Sequence, residues 1–346
     1  MGRPELDLGR PTHILSRHLG DTAPAQRLWR VVRLSYMQQV PEYILLGLTR
    51  GSMYALIALG YTLVYGVLQL LNFAHSEVFM SGTFGSYIVV HAVVGDGKGT
   101  PSWEVPIVII VGLLSGAITG ACVAWTLERV AYRPLRKRGA PKLAFLISAI
   151  GASFFLSQLA GKLFNRFNGN HFPDYFNKDR NLFHIGSAHI QTIQVILIVS
   201  AVVMMVFLDR LVAGTKLGRG IRAVAEDAPT AALMGVDIDR TISRTFVIGG
   251  ALAGAAGFLF ATAFSFSNTI GFNQGTKAFA AAVLGGIGNI RGAMMGGLLL
   301  GLVEALVPPI PAIGIAWTDV VAFVVLVVVL VFRPTGLLGE RLGRAA

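Results

Sequence analysis

Three stretches of this 346-residue chain hold polar residues whose types and spacing could do chemistry. The first runs from Arg222 through Glu226, Asp227, Ala228 and Pro229 to Ala231, Ala232, Leu233, Met234 and Gly235. Asp227 is a good helix N-cap, Pro229 sits in the first turn, and Gly235 supplies a stop. Between them Ala231, Ala232, Leu233 and Met234 make a small apolar face. What such a helix offers is docking, because so short a loop has little else to bury that face against. The second stretch, Asn72-Phe-Ala-His75-Ser-Glu77, lies directly between two apolar runs. His75 and Glu77 near a membrane interior are costly unless they face a cavity or a partner. They therefore read either as a polar pathway or gate, or as an interfacial turn capping two helices. The third stretch, Lys277 to Gly292 with Glu304 beyond it, carries Lys277, Asn289 and Arg291. Half-helix termini in broken segments can present amide donors to polar substrates, whereas Lys277 and Arg291 are expected to snorkel to the interfaces. Asn268 and Asn289 join Asn72, His75 and Glu77 as candidate pathway or gate residues.

Catalytic signatures do not occur. Gly95-Asp-Gly-Lys98 is followed by Gly99 and fails as a phosphate loop, and there is no H-E-x-x-H or G-x-S-x-G. His171, His184 and His189 lack metal-ligand spacing, and the single Cys122 excludes an intrachain disulfide. No catalytic residue, cofactor or metal is expected. The net charge of +11 comes from basic residues clustered between apolar runs, where Lys and Arg set membrane orientation. Nucleic acid is not the expected partner; membrane lipid is.

The elements that must position these residues are membrane spans. Apolar residues make up 54 % of the chain and charged ones 14 %, against about 25 % charged in soluble domains. Val105–Leu127, Leu143–Gly161, Ile190–Leu208 and Thr245–Thr276 contain no charge, and a spanning helix needs about 17–25 apolar residues. Spans read as Gly51–Leu71, Val78–Gly95, Val105–Leu127, Leu143–Gly161, Ile190–Leu208, Thr245–Phe264 and Ala312–Phe332. Ala278–Val307, as one straight helix, would be about 45 Å long, too long for a core of about 30 Å. The expected fold is all-α, a polytopic membrane helical bundle of about 8–10 transmembrane helices with broken or re-entrant elements. Residues 1–41 read as a cytoplasmic or interfacial extension with a short amphipathic helix around Leu28–Met37. This extension lacks the apolar core of a cleavable signal peptide. Residues 42–339 form the transmembrane domain, and 340–346 a cytoplasmic tail.

Orientation follows from the loops. Glu128–Lys142 carries Arg129, Arg133, Arg136, Lys137, Arg138 and Lys142 and is expected in the cytoplasm. Asp209–Arg244 and the segment after Arg333 follow it there, and Lys162–His189 becomes an outer loop. With a cytoplasmic amino terminus, three simple spans would leave Glu128 outside. The second half has the same odd count if Ala278–Val307 crosses once. A broken element in each half, either a re-entrant pair or two short crossings, removes both problems; an outer amino terminus repairs only the first. Small-xxx-small spacing at Gly112/Gly116/Gly120, Gly250/Gly254, Gly288/Gly292/Gly296 and Gly297/Gly301 predicts close helix packing.

Six blocks, in order, resemble the branched-chain amino-acid ABC transporter permeases of the LivH type. They are Gly51–Gly66 with Asn72–Glu77, Glu128–Arg136, Arg222–Gly235 running on to Asp239-Arg240, Ala281–Asn289, and Arg333–Gly339. The resemblance covers about residues 42–339 and departs from the family at Ser76, where members usually carry Gly. It implies a bacterial inner-membrane, multi-pass importer with a second permease subunit, two cytoplasmic ATPases and a periplasmic binding protein. In that frame Arg222–Gly235 corresponds to the coupling helix, and the missing phosphate loop belongs to another chain. Substrates implied are leucine, isoleucine and valine, with another amino acid, an amide or urea as the alternative. A stand-alone secondary transporter would require a mid-span coupling carboxylate, and an intramembrane enzyme a convergent nucleophile or metal set.

Overall fold

Backbone polar groups in hydrocarbon must be satisfied within the chain, which leaves helices as the default for long apolar runs. The computed structural model describes residues 22–95, 104–164, 172, 181–185, 188–307, 310, 314 and 317–339, with backbone alone for 22–38 and 181–189. In chain order come α1 (Thr22–Leu68), α2 (His75–Val94) and α3 (Val105–Leu127), which continues through a π-helical turn (Glu128–Tyr132) into α4 (Arg133–Lys137). Next are α5 (Lys142–Leu163), the antiparallel strands β1 (Asn181–Ile185) and β2 (Ala188–Gln191), and α6 (Thr192–Gly214). Two shorter helices follow, α7 (Lys216–Glu226) and α8 (Ala228–Leu233), in the segment expected on the cytoplasmic side. The chain ends with α9 (Ile238–Ala263), α10 (Ile270–Gly285), α11 (Ile290–Leu306) and α12 (Thr318–Phe332). Among the described residues, six helices are long and apolar enough to cross a membrane: residues Gln39–Leu68 of α1, α2, α3 with its extension, α5, α6 and α9. With the shorter α10, α11 and α12 these form the expected all-α membrane bundle. The two strands were not foreseen; they occupy the outer loop, where strand edges can reach water.

The expected amphipathic helix at Leu28–Met37 is part of α1, which runs unbroken through residue 41. The first break falls at Gln69–Ala74, and the second at Gly286–Asn289. The long stretch Ala278–Val307 is therefore split between two short helices, α10 and α11, the broken element that removes the odd count in the second half. The first half is repaired differently. The end of α1 and Lys142 line one cleft with Tyr65, Gln69 and Leu143, so α1 ends at the level of the basic loop. Its earlier turns, at Gly47 and Gly51, lie against the far end of α11 at Leu302 and Leu298. As a single crossing α1 thus descends towards the cytoplasm from an outer amino-terminal end, against the cytoplasmic side expected for the extension before residue 42; α2 returns, and α3 descends again to Glu128.

α9 is the centre of the bundle, packed by α1, α2 and α3 and buried along most of its length. Glycine makes this possible. A Cβ on Gly254 would overlap the carbonyl oxygen of Gly116, and one on Gly82 would overlap Gly254 Cα. Gly120 meets the Gly250 carbonyl in the same way, and Gly297 and Gly301 of α11 press on Ala55 and Gly51 of α1. One glycine of the expected packing set is of another kind. Gly288 has φ +97° with nothing near its missing Cβ, so it serves the turn between α10 and α11.

Gly254→Ala should cost about 1–3 kcal/mol, the usual penalty of overpacking, read as a lowered melting temperature of the purified protein. Gly151→Ala, on the exposed face of α5 with open space around it, should leave the melting temperature unchanged or slightly raised. Helix direction gives a second expectation. In a Cys122→Ser background, a membrane-impermeant maleimide should label Glu42→Cys in intact cells and Arg138→Cys only after permeabilisation. The opposite pattern would reverse α1.

Candidate functional site

The break after α1 places the start of α2 inside the bundle. Gln69 takes φ +53°, the chain turns, and the Asn72 carbonyl accepts from the His75 amide at 3.1 Å. His75, Ser76 and Glu77 then begin α2 fully buried. Glu77 Oε1 accepts a hydrogen bond from Ser153 Oγ at 3.1 Å, and Ser153 lies about 16 Å along α5 from Lys142 at 1.5 Å per residue. The carboxylate is therefore near mid-depth in a core of about 30 Å. Its Oε2 has no hydrogen-bond partner among the described residues and faces Gly271, in the first turn of α10. Glu77 thus stands at the amino-terminal ends of two helices, α2 and α10, whose dipoles favour a negative charge. His75 packs edge-on to Tyr61 at 5.0 Å with its Nε2 against Gly60. Ser76 donates to the Phe73 carbonyl at 2.8 Å. Its Cβ touches Gly275.

Between α9 and α10 the chain is non-helical. Such backbone survives at membrane depth only where protein covers it, and Asn268 provides the cover. Ser157 Oγ donates to the Asn268 carbonyl at 2.7 Å, and Asn268 Nδ2 donates to the Ser157 carbonyl at 3.4 Å. Beside it lies a charged cluster. Lys277 does not snorkel as expected: its Nζ stands 2.9 Å from Glu304 Oε1 and 2.8 Å from Asp319 Oδ1. Tyr54 donates to Glu304 Oε2 at 2.6 Å. The physical reason is Glu304, whose buried carboxylate would be uncompensated without a cation. Arg291 behaves as anticipated, exposed and paired with Asp209 at 3.3 Å. A cavity of about 190 Å³ borders the cluster, lined by Arg50, Met53, Tyr54, Phe260, Phe264, Gln274, Lys277 and Glu304.

The cytoplasmic side is latched by charge. Glu128, fully buried, accepts from Arg136 at 3.3 Å and from Ser243 Oγ at 3.0 Å. Arg136 also donates to Asp239 at 2.6 Å, and Arg133 does so at 3.2 Å. Asn72 belongs to this side, its Oδ1 accepting from Tyr132 at 2.6 Å. Asn289 is not brought together with the other candidate pathway residues. It caps α11 by accepting from the Gly292 amide at 3.1 Å and donates to the Leu338 carbonyl at 2.8 Å. Leu337 and Leu338 amides bond Leu284 and Gly285, so Asn289 clamps the carboxy-terminal segment onto the α10–α11 turn.

The short helix forms as its sequence predicts, as α8, although the Asp227 side chain accepts from no helix amide. Asp227 is its N-cap, with Thr230 Oγ1 donating to its carboxylate. Pro229 lies in the first turn, and Gly235 ends the helix with φ +84°. The face is split, however. Ala231 is 4 % exposed and packs inward, while Leu233 and Met234 are 88 % and 81 % exposed. Ala228 is half-buried, and Ala232 and Glu226 are on the outside or partly so. Arg222 turns inward, donating to the Val212 carbonyl in the last turn of α6, a group with no intrahelical partner.

A family model described as "Branched-chain amino acid transport system / permease component" matches residues 43–330. This chain belongs to that permease family. Among curated proteins it is similar to the high-affinity branched-chain amino acid transport system permease protein LivH of Escherichia coli K12, 42 % identical over 85 % of this chain and 94 % of the relative. BraD of Pseudomonas aeruginosa, described likewise, is 41 % identical over 88 % of this chain and 96 % of its own length. A probable branched-chain permease LivH of Methanocaldococcus jannaschii is 28 % identical over 84 % of this chain. No solved structure matches. The permease is accordingly a multi-pass protein of the bacterial inner membrane.

Sequence reasoning missed two groups in this permease. The Glu128–Arg136–Asp239 latch joins residues about a hundred positions apart, and only the acid and base within two of the recognised blocks hinted at it. Arg50 and Tyr54 sit within or beside the first block, with no sequence signal tying them to Glu304.

Removing one side of the latch tests its weight. Arg136→Ala leaves the buried Glu128 carboxylate with Ser243 alone and should cost about 3–5 kcal/mol, measured by unfolding of the purified permease. Adding Glu128→Gln should recover part of that loss; strictly additive costs would show the two residues act independently.

Proposed function

We propose that this permease is the membrane subunit of an ATP-driven ABC importer for branched-chain amino acids, alternating access under the control of separate cytoplasmic ATPases. The observation that carries the reading is the exposed Leu233–Met234 tip of α8, an apolar pair projecting from the cytoplasmic side. It is mounted rigidly: Ala231 is buried beneath it, and the Gly235 and Val236 amides bond the Ala232 and Ala231 carbonyls at 3.0 Å. Asp237 then caps α9 by accepting from the Arg240 amide at 2.9 Å. A push on α8 therefore enters α9 through only a few residues, and the Asp239–Arg136–Glu128 latch carries it to α3. In this reading Glu226–Gly235 dock on an ATPase, with Arg222 holding α7 to α6. Asn72, His75, Glu77 and Asn268 border the moving pathway, while Asn289 fixes its cytoplasmic frame.

The other partners follow from the same reading. Two ATPases supply the phosphate loop that this sequence lacks. A periplasmic binding protein delivers the amino acid. A second permease and membrane lipid cover the apolar faces of α3, α5, α6 and α12, where Ile118, Phe154, Val203 and Val328 are exposed. The chain's own role is conduction rather than catalysis. In this reading residues 42–339 are the permease domain, preceded by the extension 1–41; the expected cytoplasmic tail, 340–346, lies outside the described residues.

Replacing both Leu233 and Met234 with Asp should abolish ATPase co-purification and lower uptake by at least about a hundredfold, the scale of losing two interface anchors. Membrane insertion should be unaffected. An ATPase that still co-purifies, with uptake intact, removes α8 from the coupling role. Identifying the ligand of the co-purifying binding protein distinguishes a branched-chain amino acid from another amino acid, an amide or urea.

A further inference from the structure

The 190 Å³ cavity between α1, α9, α10 and α11 is unused by the coupling machinery. It lies on the side away from the basic loops, since Arg50 is about 27 Å along α1 from Leu68 at 1.5 Å per residue. A substrate arriving from outside would meet it first. Its size suits a small solute, because pockets for drug-sized ligands run to about 300–1,000 Å³.

Its lining has two characters. Met53, Phe260 and Phe264 give an apolar wall. Facing it are Arg50, Gln274 and the Lys277–Glu304 pair. Arg50 has no ion-pair or hydrogen-bond partner among the described residues. Gln274 Oε1 is a buried acceptor with no donor. An unpaired guanidinium calls for a carboxylate, which it can bind bidentately. An orphaned amide oxygen beside a carboxylate calls for N–H donors. The charges around the cavity already balance, with Arg50 and Lys277 against Glu304 and Asp319. A net-neutral zwitterion preserves that balance. A simple anion or cation would add an uncompensated charge, which is costly away from water.

We infer that this cavity is a binding site within the permease itself for a zwitterionic aliphatic α-amino acid. The carboxylate lies on Arg50, the ammonium group on Gln274 Oε1 and Glu304, and the side chain against Met53, Phe260 and Phe264. Lys277, itself paired with Asp319, and the Tyr54 hydroxyl hold Glu304 in position. The inference rests on the proposed import function for the choice of solute, and it assigns recognition to the permease as well as to a binding protein.

The test is equilibrium binding of radiolabelled leucine to the complete transporter, purified from native membranes in nanodiscs with the binding protein removed. Saturable binding is expected, competed by unlabelled leucine and at least about tenfold less well by leucinol, 4-methylpentanoate or acetamide. Arg50→Gln and Gln274→Leu should each weaken it by about tenfold or more, with melting temperature and ATP hydrolysis retained. Phe264→Ala should weaken leucine more than alanine, a change that general misfolding would not produce. Equal competition by leucinol or acetamide, no saturable binding, or unchanged affinity in Arg50→Gln would each overturn the site. These outcomes are separate from the coupling reading, which stands or falls on whether ATPases co-purify with the unaltered chain.

Discussion

The arrangement of this bundle depends on the contact of α9 with α2 and α3 through glycine. At Gly254 the backbone of α9 meets Gly116 and Gly82 so closely that no Cβ fits. In lipid the hydrophobic effect does not drive helices together, so van der Waals packing at short backbone distance supplies much of the association. The consequence is mechanical. Helices that touch backbone to backbone have no flexible side chains between them to absorb a displacement, so α2, α3 and α9 move as one body. α2 carries His75 and Glu77 at its start, and α9 receives α8 at its own. The cytoplasmic tip and the mid-depth carboxylate are thus ends of one rigid unit.

Glu77 shows how the membrane constrains the rest. A carboxylate at mid-depth is tolerated only with compensation, and here no cation is paired with it among the described residues. Two helix amino termini and the Ser153 hydroxyl stand in. That compensation requires α10 to start inside the bundle, which in turn requires the non-helical segment held by Asn268 and Ser157. Moving α10 relative to α2 would uncover the charge. The same half-helix geometry separates Glu77 from Glu304, whose charge is met by Lys277, so the two buried carboxylates are held by different means at different depths.

Local signals in the sequence were read well because they act locally. Asp227, Pro229 and Gly235 define α8 through caps and turns that need only neighbouring residues, and apolar runs locate the spans. Parity of the charged loops calls for a broken element in Ala278–Val307, either a re-entrant pair or two short crossings. It did not decide the first half, where the answer lay in the direction of α1. Side-chain partnerships were beyond sequence reach. Lys277 looked like an interfacial lysine because nothing in its own helix opposes it; Glu304 does so from α11 and Asp319 from α12. Gly288 looked like a packing glycine because spacing alone cannot tell a turn from a helix face. Asn289 looked polar and exposed to a pathway, yet both ends of its amide are used by Gly292 and Leu338.

In the proposed coupling role, the split face of α8 has a consequence. Had Ala231 been exposed with Leu233 and Met234, the helix could rock on its loop when pulled. Because Ala231 is buried, and the amides of Gly235 and Val236 bond back to it and its neighbour, rotation of α8 must rotate the start of α9. Asp239, in the first turn of α9, holds both Arg133 and Arg136. Any rotation of α9 therefore either drags the α3–α4 corner with it or breaks two ion pairs, and Arg136 brings buried Glu128 into the balance. Breaking a buried pair costs more than an exposed one returns. The corner therefore follows, carrying Tyr132 and with it Asn72, at the mouth of the break that precedes Glu77.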